Sequence, residues 1–385
     1  MDAADARVVL QVGFGLGQAF LHAWQDWRQD AGRATRLDFI ALTPAPPTAE
    51  ALCQAHRGGA LQALAEELAT QWPPLTRNLH RLSFDNARVH LLLGVGEPLE
   101  LLPQLRAQVH DMRIDDFSLQ SDPQRSALRL AKGLARLSAP MAQVRAVAAL
   151  QMLRPALASA GFQVEETTGA ELCAVYQPGF EPRRRGAAAA ARGERHALIV
   201  GAGLAGCATA WALAELGWRS TVIDRANAPA TQGSGNPAGL FHGIVNPNEG
   251  AHARFNRAAA LLAQRTVQRA IDSGMVGGSV MGLLRLDTRG LDVQALRDEL
   301  SALQLPGDYV QALDAAEAGA RCGLPLQHPA WLYPGGGWVQ PAALAVWFLQ
   351  QAGSMATFRG GLQGQSLHAE GGRWQLRDAT GQVIA

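Results

Sequence analysis

The sequence predicts an α/β fold class, built as two Rossmann-like domains in succession, and three observations carry that prediction. A short β-branched run at 8–12 leads into the turn Gly13-Phe14-Gly15-Leu16-Gly17. A second run at 198–200 leads into Gly201-Ala202-Gly203-Leu204-Ala205-Gly206. Each turn is followed by an amphipathic helical pattern and a further apolar strand, at 37–42 in the first case and 220–223 in the second. In a chain of 385 residues this spacing reads as two domains with separate cores, not as an internal repeat.

The other elements come in order along the chain. Helical patterns fill 49–71 and 122–138, and strands are expected at 88–93 and 111–115, so the first domain alternates strand and helix around a largely parallel sheet. It occupies 1–180. Residues 181–195 hold Arg183, Arg184, Arg185, an alanine run, Arg192 and Arg195, a low-complexity composition that reads as an exposed linker. The second domain occupies 196–385. It contains a long helix at 252–273, a strand at 279–286, a helix at 341–352 and a terminal hairpin turning at Gly371-Gly372.

Hydrophobic residues make up 48% and charged residues 17%, which excludes disordered and fibrous classes. The four cysteines, Cys53, Cys173, Cys207 and Cys322, stand singly, so neither a disulfide framework nor a metal site is expected. Isolated thiols suit a reducing cytoplasm. The start Met1-Asp2-Ala3-Ala4-Asp5 lacks a signal-peptide layout, and no apolar run has the length of a membrane span. A cytoplasmic monomer away from the membrane is the expectation. A net charge of +1 leaves any nucleic-acid contact to local patches.

The mid-chain turn is the strongest chemical signal. Gly201 allows the tight turn, Gly203 lets the backbone approach a pyrophosphate, and Gly206 lets helix and strand pack closely. The helix N-terminus presents unpaired N–H groups and a positive dipole to the phosphates. Asp224 ends the second strand, where an acid grips ribose hydroxyls. A tight turn with no ligand is the plain alternative, and the strand, helix and acid together argue against it.

The segment beyond Asp224 points to FAD over NAD. The small-residue loop Thr231-Gln232-Gly233-Ser234-Gly235-Asn236-Pro237-Ala238-Gly239 resembles the second cofactor segment of amine oxidases of the glycine oxidase type, with Ser234, Gly235, Asn236 and Gly239 at matching positions. Tyr333-Pro334-Gly335-Gly336-Gly337-Trp338-Val339-Gln340-Pro341 resembles the turn before a helix in the same class. Across its length, the chain resembles the MnmC family, bifunctional tRNA 5-methylaminomethyl-2-thiouridine biosynthesis enzymes. The best segments are Gly13 through Phe20, Leu101-Leu102-Pro103-Gln104-Leu105, Leu134 through Pro140, Ala160-Gly161-Phe162, Gly233-Ser234-Gly235-Asn236 and the turn from Tyr333 to Pro341.

The resemblance implies a methyltransferase domain dependent on S-adenosylmethionine (SAM), followed by a glycine-oxidase-type FAD domain that is incomplete at its C-terminus. It implies tRNA as partner, with a wobble uridine as target. The FAD half would remove the carboxymethyl group of 5-carboxymethylaminomethyluridine, and the other half would methylate the freed amine. Gly13, Gly15 and Gly17 would approach the methionine part of SAM, and Asp115 would orient the amine or accept its proton.

The sequence departs from the family at named positions. Thr43 and Pro44 stand where an acid holds the donor's ribose, and Val95 and Gly96 stand where a second acid lies near adenine, with Glu97 out of step. Each lost charge-assisted hydrogen bond is worth roughly 1.5–3 kcal/mol, so SAM binding is expected to be weak or lost. Asp115-Asp116-Phe117-Ser118-Leu119 keeps the family's first acid and lacks its proline. The family pattern continues past Ala385, so weak FAD binding is also expected. Two alternatives stay open at this point: a small-metabolite amine oxidase, and a non-catalytic remnant that docks tRNA. For Arg254 and Arg257, on the helix after the cofactor loop, a solvated face is the expectation. Trp24 and Trp27, at i and i+3, read as core.

Overall fold

The first glycine turn lies at the C-terminal end of a buried central strand. The computed structural model describes residues 6–117, 122–165, 171–179, 194–371 and 373–385. The chain divides into two units, Met1–Ala187 and Ala188–Ala385. The arginines at 183–185 and 192 lie outside the described residues, as do Ser118, Leu119 and Gly372.

The first unit contains β1 (Ala6–Val12), α1 (Gln18–Gln29), β2 (Arg36–Thr43), α2 (Ala49–His56), α3 (Gln62–Thr70), β3 (Leu79–Phe84), β4 (Val89–Val95), α4 (Pro98–Leu101) and β5 (Val109–Ile114). It continues with α5 (Pro123–Leu137), β6 (Ser138–Val147), α6 (Arg154–Ser159), β7 (Phe162–Val164) and β8 (Glu171–Tyr176). The sheet order is β3-β4-β2-β1-β5-β6-β8-β7. β1 pairs in parallel with β2 and β5, β2 with β4, and β5 with β6. The order turns back between β1 and β5, the position where open α/β sheets bind ligands.

The expected helix over 49–71 is two helices. Thr48 caps the first, its side chain accepting from the Ala51 N–H at 3.2 Å. Gly58, at φ +73°, then ends the helical run. Asp122 caps α5 by accepting from Arg125 N–H at 3.0 Å, and Pro123 fills the first turn, where no amide partner is needed. Ala127, Leu130, Ala131, Leu134 and Leu137 form the buried face of α5, packed with Leu10, Val12, Met112 and Ile114 of the sheet. On the other face of the sheet, Trp24 and Trp27 of α1 are buried with Val9, Phe39 and Leu91, in keeping with their spacing.

That second face is apolar over β2, β3, β4 and part of β1. Along β5 and β6 it carries Asp111, Arg113, Gln143 and Arg145 and opens into a cavity of about 1070 Å³. A central parallel strand is normally apolar on both faces. Here the polar lining borders the glycine turn.

His90, on β4, is buried, and Ser83 Oγ lies 3.0 Å from its Nδ1. Burial, with the positive charge of Arg81 added, pushes its imidazole down to about 4. The fold therefore holds it neutral, while the unfolded chain protonates it near its ordinary value. The stability it contributes is present above about pH 6.5 and is lost as the pH falls toward 4. Urea unfolding of the first unit should lose about 2 kcal/mol more between pH 7 and pH 5 than the His90→Gln variant does. Equal pH slopes in the two proteins would refute this.

The second unit contains β9 (His196–Val200), α7 (Leu204–Glu215), β10 (Arg219–Ile223), β11 (Gly239–Phe241), α8 (Ala251–Asp272), β12 (Gly278–Ser279), β13 (Leu283–Leu286), α9 (Val293–Ala302) and β14 (Gln311–Leu313). α10 (Ala315–Cys322), β15 (Ala330–Tyr333), β16 (Gly337–Val339), α11 (Pro341–Ala352), β17 (Ala356–Arg359), β18 (Ser366–Glu370) and β19 (Arg373–Arg377) complete it. β17, β10 and β9 form a parallel sheet in that order. α7 is apolar all round because it is clamped: Trp211 stacks on Phe348 of α11 at 5.3 Å and meets Trp347 at 5.8 Å. The expected strand over 279–286 is broken at Gly282, φ +102°, into β12 and β13, which join different sheets. The terminal hairpin forms, pairing Leu367 with Leu376.

The expectation for Arg257 is also corrected. Arg257 is not on a solvated face: it is 0% exposed, paired with Glu249 and set 5.9 Å over the Tyr309 ring. Neither its helical position nor its charge reveals this, because Glu249 lies in the preceding loop. Arg254 is exposed.

Candidate functional site

In the second unit, β9 delivers the chain into Gly201, whose φ of +104° is a left-handed conformation that glycine accepts without strain. At Gly206 a Cβ would lie 1.9 Å from the Gly201 carbonyl oxygen, so only glycine lets α7 start this close to the turn. At Gly203 a Cβ would lie 3.1 Å from Ser234 Oγ. Ser234 reaches across to the helix start and accepts from Leu204 N–H at 3.1 Å. Asp224, at the end of β10, accepts from Ala202 N–H at 2.7 Å and from Ala226 N–H at 2.9 Å. One carboxylate thus ties the turn to the strand that precedes it and the loop beyond.

Gly201, Gly203, Gly206, Asp224 and Ser234 therefore come together around one helix N-terminus. Gly235 and Asn236 lie on the exposed loop beyond it, with Gly235 N–H donating to Gln232 O at 2.7 Å and Asn236 Nδ2 to Gly233 O at 3.3 Å. Gly239 is not at the helix start: it begins β11 and pairs with Val339 of β16. That pairing joins the two oxidase-like segments, and it sets Leu240 directly opposite Trp338, which is 39% exposed. Cys207 stands beside the turn and is buried. Burial, with the charge of Asp224 added, pushes its thiol up to about 11, so it remains protonated packing. A turn without side chains, first-turn amides and an acid at the second strand's end fit a dinucleotide.

In the first unit, Gly13, Gly15 and Gly17 all adopt left-handed backbone, at φ +87°, +54° and +76°. A Cβ on Gly13 would meet Asp116 Cβ and N at 2.7 Å, because the loop after β5 passes directly over the turn. That loop is tied down by Asp115 N–H and Asp116 N–H, which donate to Val12 O at 3.0 and 3.2 Å. The turn and Asp115 thus share one wall of the cavity. Asp115 Oδ2 accepts from Gln11 Nε2 at 2.6 Å, and Oδ1 lies 3.5 Å from Arg113 Nη2. Gln11 is not among the residues the motifs single out. Its signal is a lone polar side chain inside the apolar run Val8-Val9-Leu10-Gln11-Val12.

The ends of β2 and β4 carry no carboxylate. Thr43 is buried and its Oγ1 accepts from Ala45 N–H at 3.3 Å, and Val95 is buried in the core. The cavity and turn fit the methionine end of SAM.

Among the described residues no group of three or more His, Cys, Asp or Glu side chains could hold a metal ion. Among them, too, no helix is long and apolar enough to cross a membrane.

Comparison with known proteins assigns a family model to part of each unit. Residues 196–385 match the family model of FAD-dependent oxidoreductases, and residues 60–172 match that of SAM-dependent methyltransferases. The two cofactor classes of the chain are accordingly FAD and SAM. The chain is 41% identical, over 98% of its length, to the tRNA 5-methylaminomethyl-2-thiouridine biosynthesis bifunctional protein MnmC of Methylibium petroleiphilum, covering 58% of that protein. It is 34% identical, over 98% of its length, to the MnmC protein of Paraburkholderia phytofirmans, covering 59%. A solved glycine oxidase from Bacillus cereus is similar at 18% identity over 50% of this chain and 53% of that one, with a TM-score of 0.40. The chain thus spans about three-fifths of the length of the curated relatives it matches. These matches lend no support to an impaired methyltransferase half, a small-metabolite oxidase or a non-catalytic remnant. With both domain types matched in this order, and identity sustained across nearly the whole chain, the protein is similar to MnmC proteins over about three-fifths of their length.

Proposed function

We propose that the chain acts on the wobble uridine of tRNA in two steps, oxidation in the second unit and methylation in the first. The observation that carries this reading is the sustained identity to MnmC proteins across both units, with a cofactor turn in each. FAD, when bound, supplies a two-electron oxidation of the N–CH2 bond next to the carboxylate. The substrate amine becomes an imine, water adds to its carbon, and the C–N bond breaks to give the free aminomethyl group and an aldehyde acid. Gly201, Gly203, Gly206 and Ser234 would form the phosphate cradle for FAD, and Asp224 would be the acid available to its ribose. The loop Gly235 to Gly239 leaves room along the cofactor.

The freed amine then attacks the methyl carbon of SAM. The C–S bond breaks with its electron pair going to sulfur, and the new ammonium gives up a proton. Gly13, Gly15 and Gly17 hold the methionine end, and Asp115 orients the amine and accepts that proton. The target base must leave its stack to reach either site. A cytoplasmic monomer completes the proposal.

The test is anaerobic. The FAD-loaded chain is mixed with tRNA carrying the carboxymethylaminomethyl group, and the oxidised flavin absorbance is followed. Bleaching with this tRNA, and none with unmodified tRNA or free glycine, supports the reading. Bleaching by free glycine or a small amine, and none by the tRNA, overturns it.

A further inference from the structure

Gln11 sits where a parallel sheet has least use for it. It lies near the end of β1, is 3% exposed, and has β-strand neighbours on both sides. Its Nε2 donates to Asp115 Oδ2 at 2.6 Å, and this fixes which end of the amide faces the carboxylate, since an oxygen there would repel it. The other end, Oε1, is buried with no hydrogen-bond partner. An orphan buried carbonyl opposes folding, and an apolar residue at 11 would remove it. Stability alone therefore does not account for a glutamine here, whereas the hold on Asp115 does.

Resting on the proposed methyl transfer, we propose that Gln11 is a positioning residue of that reaction: its amide fixes the Asp115 carboxylate beside the Gly13 turn, so that a free lone pair faces the amine. Three features agree with this. Gln11 and Arg113 are cross-strand neighbours, so Asp115 is approached by donors from two adjacent strands. Gln11 is neutral, so it restrains the carboxylate without competing for its proton. The cavity wall also carries Asp116, Arg145, His22 and His56, yet among the described residues the side-chain partners of the Asp115 carboxylate are Gln11 and Arg113.

The test uses the full chain with SAM and tRNA bearing the aminomethyl group. Gln11→Leu should lower kcat for methyl transfer by about tenfold or more, with SAM affinity and the KM for tRNA within about threefold of wild type. Gln11→Glu preserves shape and places two carboxylates at hydrogen-bond distance. They must share a proton, so the acid limb of its pH–rate profile should move to higher pH. If Gln11→Leu does not fold, this second variant carries the test. A wild-type kcat in Gln11→Leu, a matching loss of SAM affinity, or an unmoved acid limb in Gln11→Glu overturns the proposal. The hold itself has a readout free of turnover: the Gln11 side-chain amide NMR signal should shift in Asp115→Ala, which removes the acceptor. A silent amide overturns the hold, whereas a responding amide in a wild-type chain that transfers no methyl overturns the reading on which it rests.

Discussion

Replacing Gly206 by valine is expected to abolish FAD retention. Even a bare Cβ at this position would lie 1.9 Å from the Gly201 carbonyl oxygen and 3.4 Å from the Ile199 side chain. Neither neighbour can retreat cheaply: the carbonyl belongs to a turn residue held at φ +104°, and Gly201 N–H is bonded to Ile223 O at 2.7 Å. The helix must therefore move off the turn, carrying with it the first-turn amides that would hold the pyrophosphate. Overpacking of this kind costs about 1–3 kcal/mol in stability. The loss of aligned phosphate donors adds to it, so FAD affinity should fall on the order of a hundredfold or more. Gly307→Ala is the matched control, because a Cβ there meets nothing within 4 Å and the backbone is not left-handed. Flavin fluorescence titration of the three proteins checks this. Comparable FAD affinity in Gly206→Val and wild type would mean that the cofactor is not held at this turn.

Asp115→Asn is expected to remove methyl transfer while leaving SAM in place. The substitution keeps the size of the side chain and an oxygen that still accepts from Gln11 Nε2, but it cannot take a proton from the amine. General-base contributions of this kind run to about 10²–10⁴-fold, and a loss of at least a hundredfold is the expected result. SAM affinity should change by about threefold or less, because the glycine turn and the Gly13–Asp116 contact are untouched. A rate near wild type would assign Asp115 to the architecture of the loop. A parallel loss of SAM affinity would assign it to donor binding.

Much of the fold is legible in the sequence because glycine spacing constrains backbone directly. The three glycines at 13, 15 and 17 declare left-handed turns, and the 201–206 motif declares a helix packed against its own entry strand. The capped helix at 123–137 and the hairpin at 366–377 are equally legible, one from its apolar spacing and the other from alternation around glycine. The hidden features are long-range. The partner of Arg257 is Glu249, a loop residue that no helical pattern connects to it. β6 escapes anticipation because Pro140 and Met141 interrupt its alternation. Met141 takes φ +61°, and the pairing with β5 shifts register between Val109 and Asp111. β17 is four residues long and comes almost directly after α11, so only its place beside β10 identifies it as part of the cofactor sheet. At the first site the sequence names Asp115 by resemblance, and Arg113 lies two residues before it, but Gln11 joins it only through sheet register.

If one chain both removes a carboxymethyl group from a tRNA base and methylates the amine left behind, nucleoside mass spectrometry will show the two steps in order. tRNA rich in 5-carboxymethylaminomethyluridine is incubated with the chain, FAD and SAM carrying a deuterated methyl group, then digested to nucleosides. The carboxymethyl nucleoside should disappear, the aminomethyl nucleoside should rise and fall, and the deuterated methylaminomethyl nucleoside should accumulate. A carboxymethyl nucleoside that persists unchanged, with FAD bound to the chain, would contradict the two-step reading.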